Sequence, residues 1–461
     1  MKPSNIIEPK RSLPNARKPF DNAALKAMIV PLLIEQLLQM VVGIADTLMV
    51  SYAGEATVSG VSLDTMLYTI FIYIFTAIAS GGAVVVSQYL GSRDRGQAEN
   101  AAGQIFRLSL VVSFSCMALM LVFGNAILRL LYSAVEPDVM RACRVYLSIV
   151  VLSFPANAVY NAGAALYRSM GKTRTTMFVS ICMNLMNVFG NAIGIFALHA
   201  GAAGVAWPTT ISWYFAAVVM TILCMKEGNE VALRPRAALR HDSVMMKRIL
   251  SIAIPNSIEN GLFQLSKVVL GSLISTFGTA HIAANGIGQT FWSLAAVIGV
   301  AMGPVYITVI GRCMGADDVE AADYYLLKLT RLSLALAFVW NVVVLLIVPL
   351  ALPLYSISAE TKRLILIIVV IHNAFSATVQ PIGNMSVGLR AAGDVRFTMY
   401  TSIFCTVICR VALSFLLGLW MGLGVVGIAW AMVLDWTIKM CIILYRYKSG
   451  KWKNFRVIEK R

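Results

Sequence analysis

The sequence has few charged residues. Only 13% of its 461 residues are Asp, Glu, Lys or Arg, whereas 59% are hydrophobic. Soluble globular proteins carry about 25% charged residues, so this composition excludes an ordinary soluble domain. It predicts an all-α polytopic membrane protein, because its apolar stretches reach the roughly 20 residues that a helix needs to cross a bilayer. They are too long and too continuously apolar to be the strands of a membrane barrel.

Signatures of enzymes and metal sites are also missing. The eight cysteines are scattered and form no CxxC pair, which argues against a disulfide framework and a zinc site. The stretch "LYRSMGKT" ends like a nucleotide-binding loop, but Leu166 stands where that pattern needs glycine. HExxH is absent as well. We therefore expect a protein that is not an enzyme, uses no cofactor, and depends on an ion gradient or on the gradient of its own substrate.

Twelve apolar stretches predict twelve transmembrane helices. The hydrophilic tail before them lacks a short apolar core with a cleavage site, so we expect no signal peptide. The predicted spans are 25–51, 62–88, 106–132, 142–166, 175–198, 203–224, 249–277, 284–310, 328–353, 363–388, 397–420 and 424–446.

The net charge is +16, and the positively charged residues are distributed according to the predicted topology. Most of the 38 Lys and Arg residues lie in the two tails and the even-numbered loops, and few lie in the odd-numbered loops. The positive-inside rule places both termini in the cytoplasm. The charge therefore indicates orientation in a lipid bilayer rather than binding of nucleic acid. We expect a location in a bacterial inner membrane, because no organellar signal is found. We also expect a monomer.

The sequence repeats itself after about 224 residues. Glu35, four residues after a proline, recurs as Glu259, and "RSMGKTRTTMFVSI" from Arg168 matches "RAAGDVRFTMYTSI" from Arg390. Two homologous six-helix bundles of equal orientation follow, as in transporters built from parallel repeats around a shared site. The predicted divisions are an N-terminal tail at 1–23, an N-terminal lobe at 24–225, a linker at 226–247, a C-terminal lobe at 248–446 and a basic tail at 447–461.

Asp46, in "GIADTLMV", places a carboxylate inside the first predicted helix. Ionisable residues in a membrane are costly and usually face a cavity or a partner. No basic residue lies deep in a helix of the first half, so the protonation of Asp46 should respond to its surroundings. It is a candidate carrier of a coupling ion or proton. The alternative is a structural carboxylate held by hydroxyl and backbone groups.

Three neutral side chains could complete that site. Asn187 and Asn191 are one turn apart on the fifth predicted helix and share a face, and Thr209 lies on the sixth. Oxygen ligands suit a hard cation such as sodium. Together with Asp46 they form a candidate site for one proton or one monovalent cation, without any other metal. The alternative is ordinary hydrogen bonding between helices.

Polar residues of the second half form a candidate network. Arg410 needs an acid, which Glu259 or Asp435 could supply. Lys267 lies two turns after Glu259 and could join them, and His372 could titrate near neutral pH.

Glu35 is the repeat-matched acid of Glu259. A feature that occurs in both repeats can be architectural, so a structural role and a role in transport both stay open for these two residues.

The pattern resembles the multidrug and toxic compound extrusion (MATE) transporters. The resemblance covers 24–446 and rests on twelve helices in two repeats, and on "IADTLMVSYAG", "GGAVVVSQYLGSRD", "LYRSMGKTRTTM", "GLRAAGDVRFTM" and "GIAWAMVLDW". It implies a V-shaped pair of lobes. It also implies efflux of cationic, amphipathic small molecules such as drugs and toxins, by antiport against Na+ or H+.

The resemblance also implies site residues. An aspartate on the first helix carries the coupling ion in that family, and Asp46 matches it. Many members have Asn and an acid four residues apart on the fifth helix and Thr on the sixth. Here these positions hold Asn187, Asn191 and Thr209, so the second acid is absent. Glu259 approximates an acid that other members use on the seventh helix. H+ and Na+ therefore stay alternatives.

Two other classes of function remain open. One is a flippase of lipid-linked precursors, from a superfamily with related architecture. Such a protein would favour a basic cavity, and only Lys267 and Arg410 suggest one here. A channel or receptor is less consistent with two rocking halves, an isolated acid and short loops.

Overall fold

The computed structural model describes residues 8–9, 13–14, 17–132, 135–355 and 357–458. Every secondary-structure element in these residues is a helix, which confirms the predicted all-α fold. Six long helices form the first half: α1 (Asn22–Ser51), α2 (Glu55–Gly91), α3 (Arg95–Leu131), α4 (Pro137–Ser169), α5 (Thr173–Ala197) and α6 (Gly201–Cys224).

Six further helices form the second half, and two of them are interrupted. Short helices Pro235–Leu239, Leu352–Leu354 and Lys451–Asn454 lie in the connections and the C-terminal tail. The long helices are α7 (Ser243–Ser275), α8 (Thr279–Ala295 and Val297–Gly315), α9 (Val319–Ala351), α10 (Ala359–Ser376 and Val379–Ala392), α11 (Val395–Trp420) and α12 (Gly424–Lys448).

Most of these helices could cross a bilayer. Among the described residues, ten are long and apolar enough, and an eleventh is α10 if its two parts, bent by 46°, count as one span. The remaining predicted span, 249–277, falls mostly on α7, which ends at Ser275 and is not among these helices; it carries Glu259 and Lys267. The predicted span 284–310 is not one uninterrupted helix, because a turn at Ala296 divides α8.

The chain forms two compact units. The first unit is Asn22–Ser257, and the second comprises Ile258–Arg461 with the described residues of Met1–Asp21. The boundary between the two units therefore falls inside α7. The start of α7 packs within the first unit, where Arg248 donates to the Tyr89 hydroxyl at 2.5 Å.

The segment before α1 belongs to the second unit. The Glu8 carboxylate lies 2.6 Å from the Lys328 ammonium on α9. Arg17 lies 2.8 Å from Asp318, the residue that caps α9. Phe20 packs edge-on against Tyr325.

The repeated sequence produces repeated local structure. Gly54 and Gly278, which begin α2 and α8, both have φ +100°, a backbone conformation that glycine adopts readily. Asp94 and Asp318 cap α3 and α9, and each accepts a hydrogen bond from the backbone N–H three residues later.

An aromatic cluster packs α4 against α2 in the first unit. The Phe154 ring lies 5.7 Å from Tyr68, 4.9 Å from Phe71 and 5.6 Å from Phe75 between centroids. Each such pair contributes about 0.5–1.5 kcal/mol beyond burial of its area. These contacts fix α2 and α4 beside the cavity described next.

Candidate functional site

Glycine residues let α5 approach α6 closely. A Cβ atom on Gly190 would lie 2.6 Å from Cβ of Pro208, and one on Gly204 would lie 2.6 Å from the carbonyl oxygen of Gly194. Real Cβ atoms do not tolerate such distances, so a larger residue would push the helices apart. This close approach brings polar side chains of α5 and α6 together beside α1.

Asp46 lies at the end of a chain of hydrogen bonds through these side chains. The Asn191 amide donates to the Asp46 carboxylate at 3.0 Å and to the Asn187 oxygen at 3.1 Å. The Asn187 amide donates to the Thr209 hydroxyl at 3.0 Å, and that hydroxyl donates to the Val205 carbonyl at 2.9 Å. The structure thus brings together all four residues predicted for a coupling-ion site.

The surroundings of the Asn187 amide favour the orientation in which its nitrogen and oxygen are exchanged. A rotation by 180° puts its nitrogen 3.1 Å from both carboxylate oxygens of Asp46, and its oxygen 3.0 Å from the Thr209 hydroxyl. With nitrogen toward Asp46, the amide donates to an ionised carboxylate. With oxygen there, three acceptor oxygens converge, which is favourable when a proton or a cation lies among them.

A further oxygen is available at the same place. The side-chain oxygen of Asn191 is buried and has no hydrogen-bond partner among the described residues. Buried polar atoms normally have a partner, so an unsatisfied oxygen beside a carboxylate favours a bound proton or cation. The single negative charge of Asp46, surrounded by neutral oxygens from Asn187, Asn191 and Thr209, matches the charge of a monovalent cation.

Asp46 also lines a cavity of about 570 Å³ inside the first unit. Its walls come from α1, α2, α4, α5 and α6. Tyr68, Tyr146 and Trp213 supply aromatic surface, and Asp46 is the charged residue among its described lining residues. Hydroxyl and amide side chains also line it, and a mainly apolar cavity that includes polar groups is typical of small-molecule sites.

Glu35 pairs with a residue that the sequence analysis did not link to it. The Arg168 guanidinium on α4 lies 2.7 Å from its carboxylate, and Glu35 is fully buried. The signal was present, because Glu35 and Arg168 both belong to the motifs that recur in the second half.

Glu259 makes the equivalent pair. Its carboxylate lies 2.9 Å from Arg390 and 3.7 Å from Lys439 on α12. The carboxylate is therefore neutralised by two bases, and neither is Lys267.

The other predicted members of this network lie in separate settings. Arg410 forms a buried ion pair with Asp435, one of its two predicted partners. Lys267 makes no ion pair with a described residue, and its ammonium lies 4.9 Å from the centre of the Phe263 ring. His372 is buried, and neither ring nitrogen has a hydrogen-bond partner among the described residues. The four predicted residues thus do not form one hydrogen-bonded network.

Asp64 on α2 is a buried acid without a predicted role. It is fully buried, and neither carboxylate oxygen has a side-chain partner among the described residues. Its signal in the sequence is the one that singled out Asp46, an acid within an apolar helix.

Comparisons with known proteins cover both repeats. The family model MatE matches residues 31–193 and 255–416. The chain is 28% identical over 454 residues to "Uncharacterized transporter YisQ" of Bacillus subtilis, which covers 95% of this chain and 96% of that protein. It is 24% identical over 460 residues to "Probable multidrug resistance protein NorM" of Thermotoga maritima, over 98% and 96% of the two chains.

The fold is shared with solved structures. One is described as the outward-facing conformation of a multidrug resistance MATE family transporter of the MOP superfamily. It matches with a TM-score of 0.85 and 20% identity, over 93% of this chain and 96% of that one.

Proposed function

Since the chain belongs to the MatE family of multidrug efflux transporters, we propose that it is a secondary active antiporter that exports cationic, amphipathic small molecules in exchange for H+ or Na+. The family is one of transporters rather than enzymes, and the chain is a multi-pass membrane protein. The observation that carries the antiport proposal is the position of Asp46, whose carboxylate faces an apolar cavity and a cluster of neutral oxygens.

Competition for one negative charge supplies the coupling. An ionised Asp46 attracts an organic cation into the cavity, where Tyr68, Tyr146 and Trp213 offer aromatic faces. A proton or sodium ion at Asp46 removes that attraction. Substrate and coupling ion therefore bind in turn, and opposite preferences for two conformations of the transporter make the exchange obligatory.

Asn187, Asn191 and Thr209 select the coupling ion in this proposal. With the amide oxygens turned toward Asp46, they supply neutral ligands to Na+. With an amide nitrogen turned there, they donate hydrogen bonds to the ionised carboxylate of Asp46. One carboxylate can bind either H+ or Na+, so an experiment must identify the coupling ion.

The remaining features follow the same proposal. The six-helix lobes at 24–225 and 248–446 alternate access to the site, and the protein works as a monomer without a cofactor other than the coupling ion. It lies in a bacterial inner membrane with both termini in the cytoplasm, as its distribution of Lys and Arg favours.

The test is transport by purified protein in liposomes. A fluorescent organic cation is loaded, a sodium or proton gradient is imposed, and efflux by wild type is compared with that by Asp46→Asn. We expect one gradient to drive efflux and the substitution to abolish it. Asp138→Asn is the matched control, since Asp138 is exposed at the start of α4 and should leave efflux unchanged. Efflux that persists in Asp46→Asn would contradict the coupling role.

A second candidate function is the flipping of lipid-linked precursors. The observation that favours it is a cavity in the second unit that is lined by Lys267 and Arg410. Absence of organic-cation transport under both gradients would favour this alternative over the exporter.

A further inference from the structure

The second unit contains a cavity of its own, of about 370 Å³. Its walls come from α7, the first part of α8, α11 and α12. This volume lies in the range of about 300–1,000 Å³ found for small-molecule sites. None of its described lining residues is acidic, whereas two are basic, Lys267 and Arg410.

The two bases differ in what neutralises them. Arg410 is buried against Asp435, so its charge is compensated. Lys267 has no acidic partner among the described residues. Glu259, the nearest acid along α7, is already paired with Arg390 and Lys439. One positive charge of the cavity therefore lacks a counter-ion from the described part of the chain.

Aromatic rings hold the Lys267 ammonium without cancelling its charge. The ammonium lies 4.9 Å from the centre of the Phe263 ring and 5.9 Å from that of Trp292. The Arg410 guanidinium lies 5.3 Å from the same Phe263 ring. Trp292 in turn stacks on Trp436 with the ring centres 6.1 Å apart. The cavity thus combines a fixed cation with flat apolar surface.

Neutral donors lie on the same wall. Asn285 and Gln289 are one turn apart on the first part of α8, and both line the cavity. Neither side-chain amide makes a hydrogen bond with another described residue. Ionisable residues within the membrane are costly and persist where they bind or conduct something. A cation with adjacent amide donors is suited to an anionic group.

We propose that this cavity binds the anionic group of an amphipathic molecule, with Lys267 as its counter-ion and Phe263 and Trp292 against its apolar body. The ligand is a singly charged carboxylate or phosphate on an aromatic or acyl body. A free organic acid and a lipid headgroup share this chemistry. The site is independent of the proposed antiport, because it requires neither Asp46 nor an ion gradient.

Binding is measured on the purified full chain in detergent micelles, without a gradient. The probe is pyrenebutyrate, a fluorescent aromatic carboxylate, and its counterpart is a pyrene that carries a quaternary ammonium on the same linker. We expect Lys267→Met to weaken binding of pyrenebutyrate about tenfold or more, since a hydrogen bond to a charged group is lost. Lys267→Arg should bind within about threefold of wild type, because the charge is retained.

Two controls make the measurement decisive. Lys26→Met removes one exposed positive charge from the start of α1 and should leave binding unchanged. Gln289→Leu removes an amide donor and no charge, and should weaken binding about threefold or more. It also tests the site if Lys267→Met fails to fold, as judged by size-exclusion chromatography. Equal binding by wild type and both cavity variants would overturn the proposal, as would equal affinity for the cationic probe.

Competition identifies the source of the anion. Phosphatidylglycerol that displaces pyrenebutyrate, with phosphatidylcholine inactive, would support the site with a lipid headgroup as ligand. Displacement by neither lipid, with Lys267-dependent binding intact, would support it with a free organic acid.

Discussion

The guanidinium of Arg168 lies 2.7 Å from the Glu35 carboxylate, and Arg390 lies 2.9 Å from Glu259 in the second unit. Both repeats therefore contain the same ion pair. In each half it connects the proline-containing first helix to the end of the fourth helix. In both units the acid is on the helix that carries a candidate ligand-binding residue, Asp46 or Lys267. We interpret this pair as architectural, one of the two roles open for Glu35 and Glu259.

Arg168→Met should destabilise the protein severely. It leaves the fully buried Glu35 without its counter-ion, which costs about 3–5 kcal/mol in the free energy of unfolding. The double variant Glu35→Gln with Arg168→Met should recover much of that loss, because no uncompensated charge stays buried. Thermal unfolding in detergent measures both. Arg141→Met, at an exposed surface pair, should change stability by less than about 0.5 kcal/mol, and an equally small effect of Arg168→Met would refute the architectural role.

Asn191→Leu should impair the response to the coupling ion more than protein stability. The variant removes the amide that donates to Asp46 at 3.0 Å, a hydrogen bond to a charged group worth about 1.5–3 kcal/mol. We expect the ion concentration for half-maximal efflux to shift about tenfold or more. Asn184→Leu is the matched control, since Asn184 lines the same cavity but donates to Ser180. Equal shifts in the two variants would remove Asn191 from the site.

Gly204→Ala should separate α5 from α6. The added Cβ would lie 2.6 Å from the carbonyl oxygen of Gly194, so the helices must move apart, at about 1–3 kcal/mol for an overpacked core. We expect a lower unfolding temperature and slower efflux, because Asn187 moves away from Thr209. Gly228→Ala meets nothing within 4 Å and serves as the control. A fully active, stable Gly204→Ala would show that close approach is not needed.

Asp242 should make a pH-dependent contribution to the free energy of unfolding. Hydrogen bonds from the backbone N–H of Met245 at 3.0 Å and from Asn100 at 2.7 Å hold the pKa of Asp242 below its ordinary value. The stabilisation is therefore complete above the ordinary pKa of about 3.9, and is lost as pH falls through the lowered folded-state pKa.

The measurement compares Asp242→Asn with wild type at two pH values. At pH ~7 the variant should unfold more easily by about 0.3–1 kcal/mol, the value of a negative charge at a helix N-terminus. Near pH ~3 the difference should shrink, since the wild-type carboxylate is then increasingly neutral. A constant difference at both values would rule out the charge as its cause.

Periodicity and repetition predicted much of this molecule. Apolar length predicted the helices, and the four-residue spacing of Asn187 and Asn191 predicted a shared face toward Asp46, which the structure shows as a direct hydrogen bond. Spacing within one helix is a local property, so it can be read without knowing how helices pack.

Pairing between distant helices was harder to predict. The sequence left Glu259 and Asp435 equal as partners of Arg410, and it linked Lys267 to Glu259 because they lie two turns apart on one helix. The structure selects Asp435 as the partner of Arg410, and it pairs Glu259 with Arg390 and Lys439 rather than with Lys267. These choices depend on which helix faces lie together, and no spacing along the chain encodes that directly.

The division of the chain into units has a further consequence. The segment that holds Glu8 and Arg17 packs with the second unit although α1 follows it, and residues 243–257 pack with the first unit although they begin the second half. Each half of the chain thus contributes a segment that packs with the other unit. A break in the connection before α7 would leave both exchanged segments in place. Two separately translated polypeptides, divided there, would each contain a segment that packs with the unit formed mainly by the other.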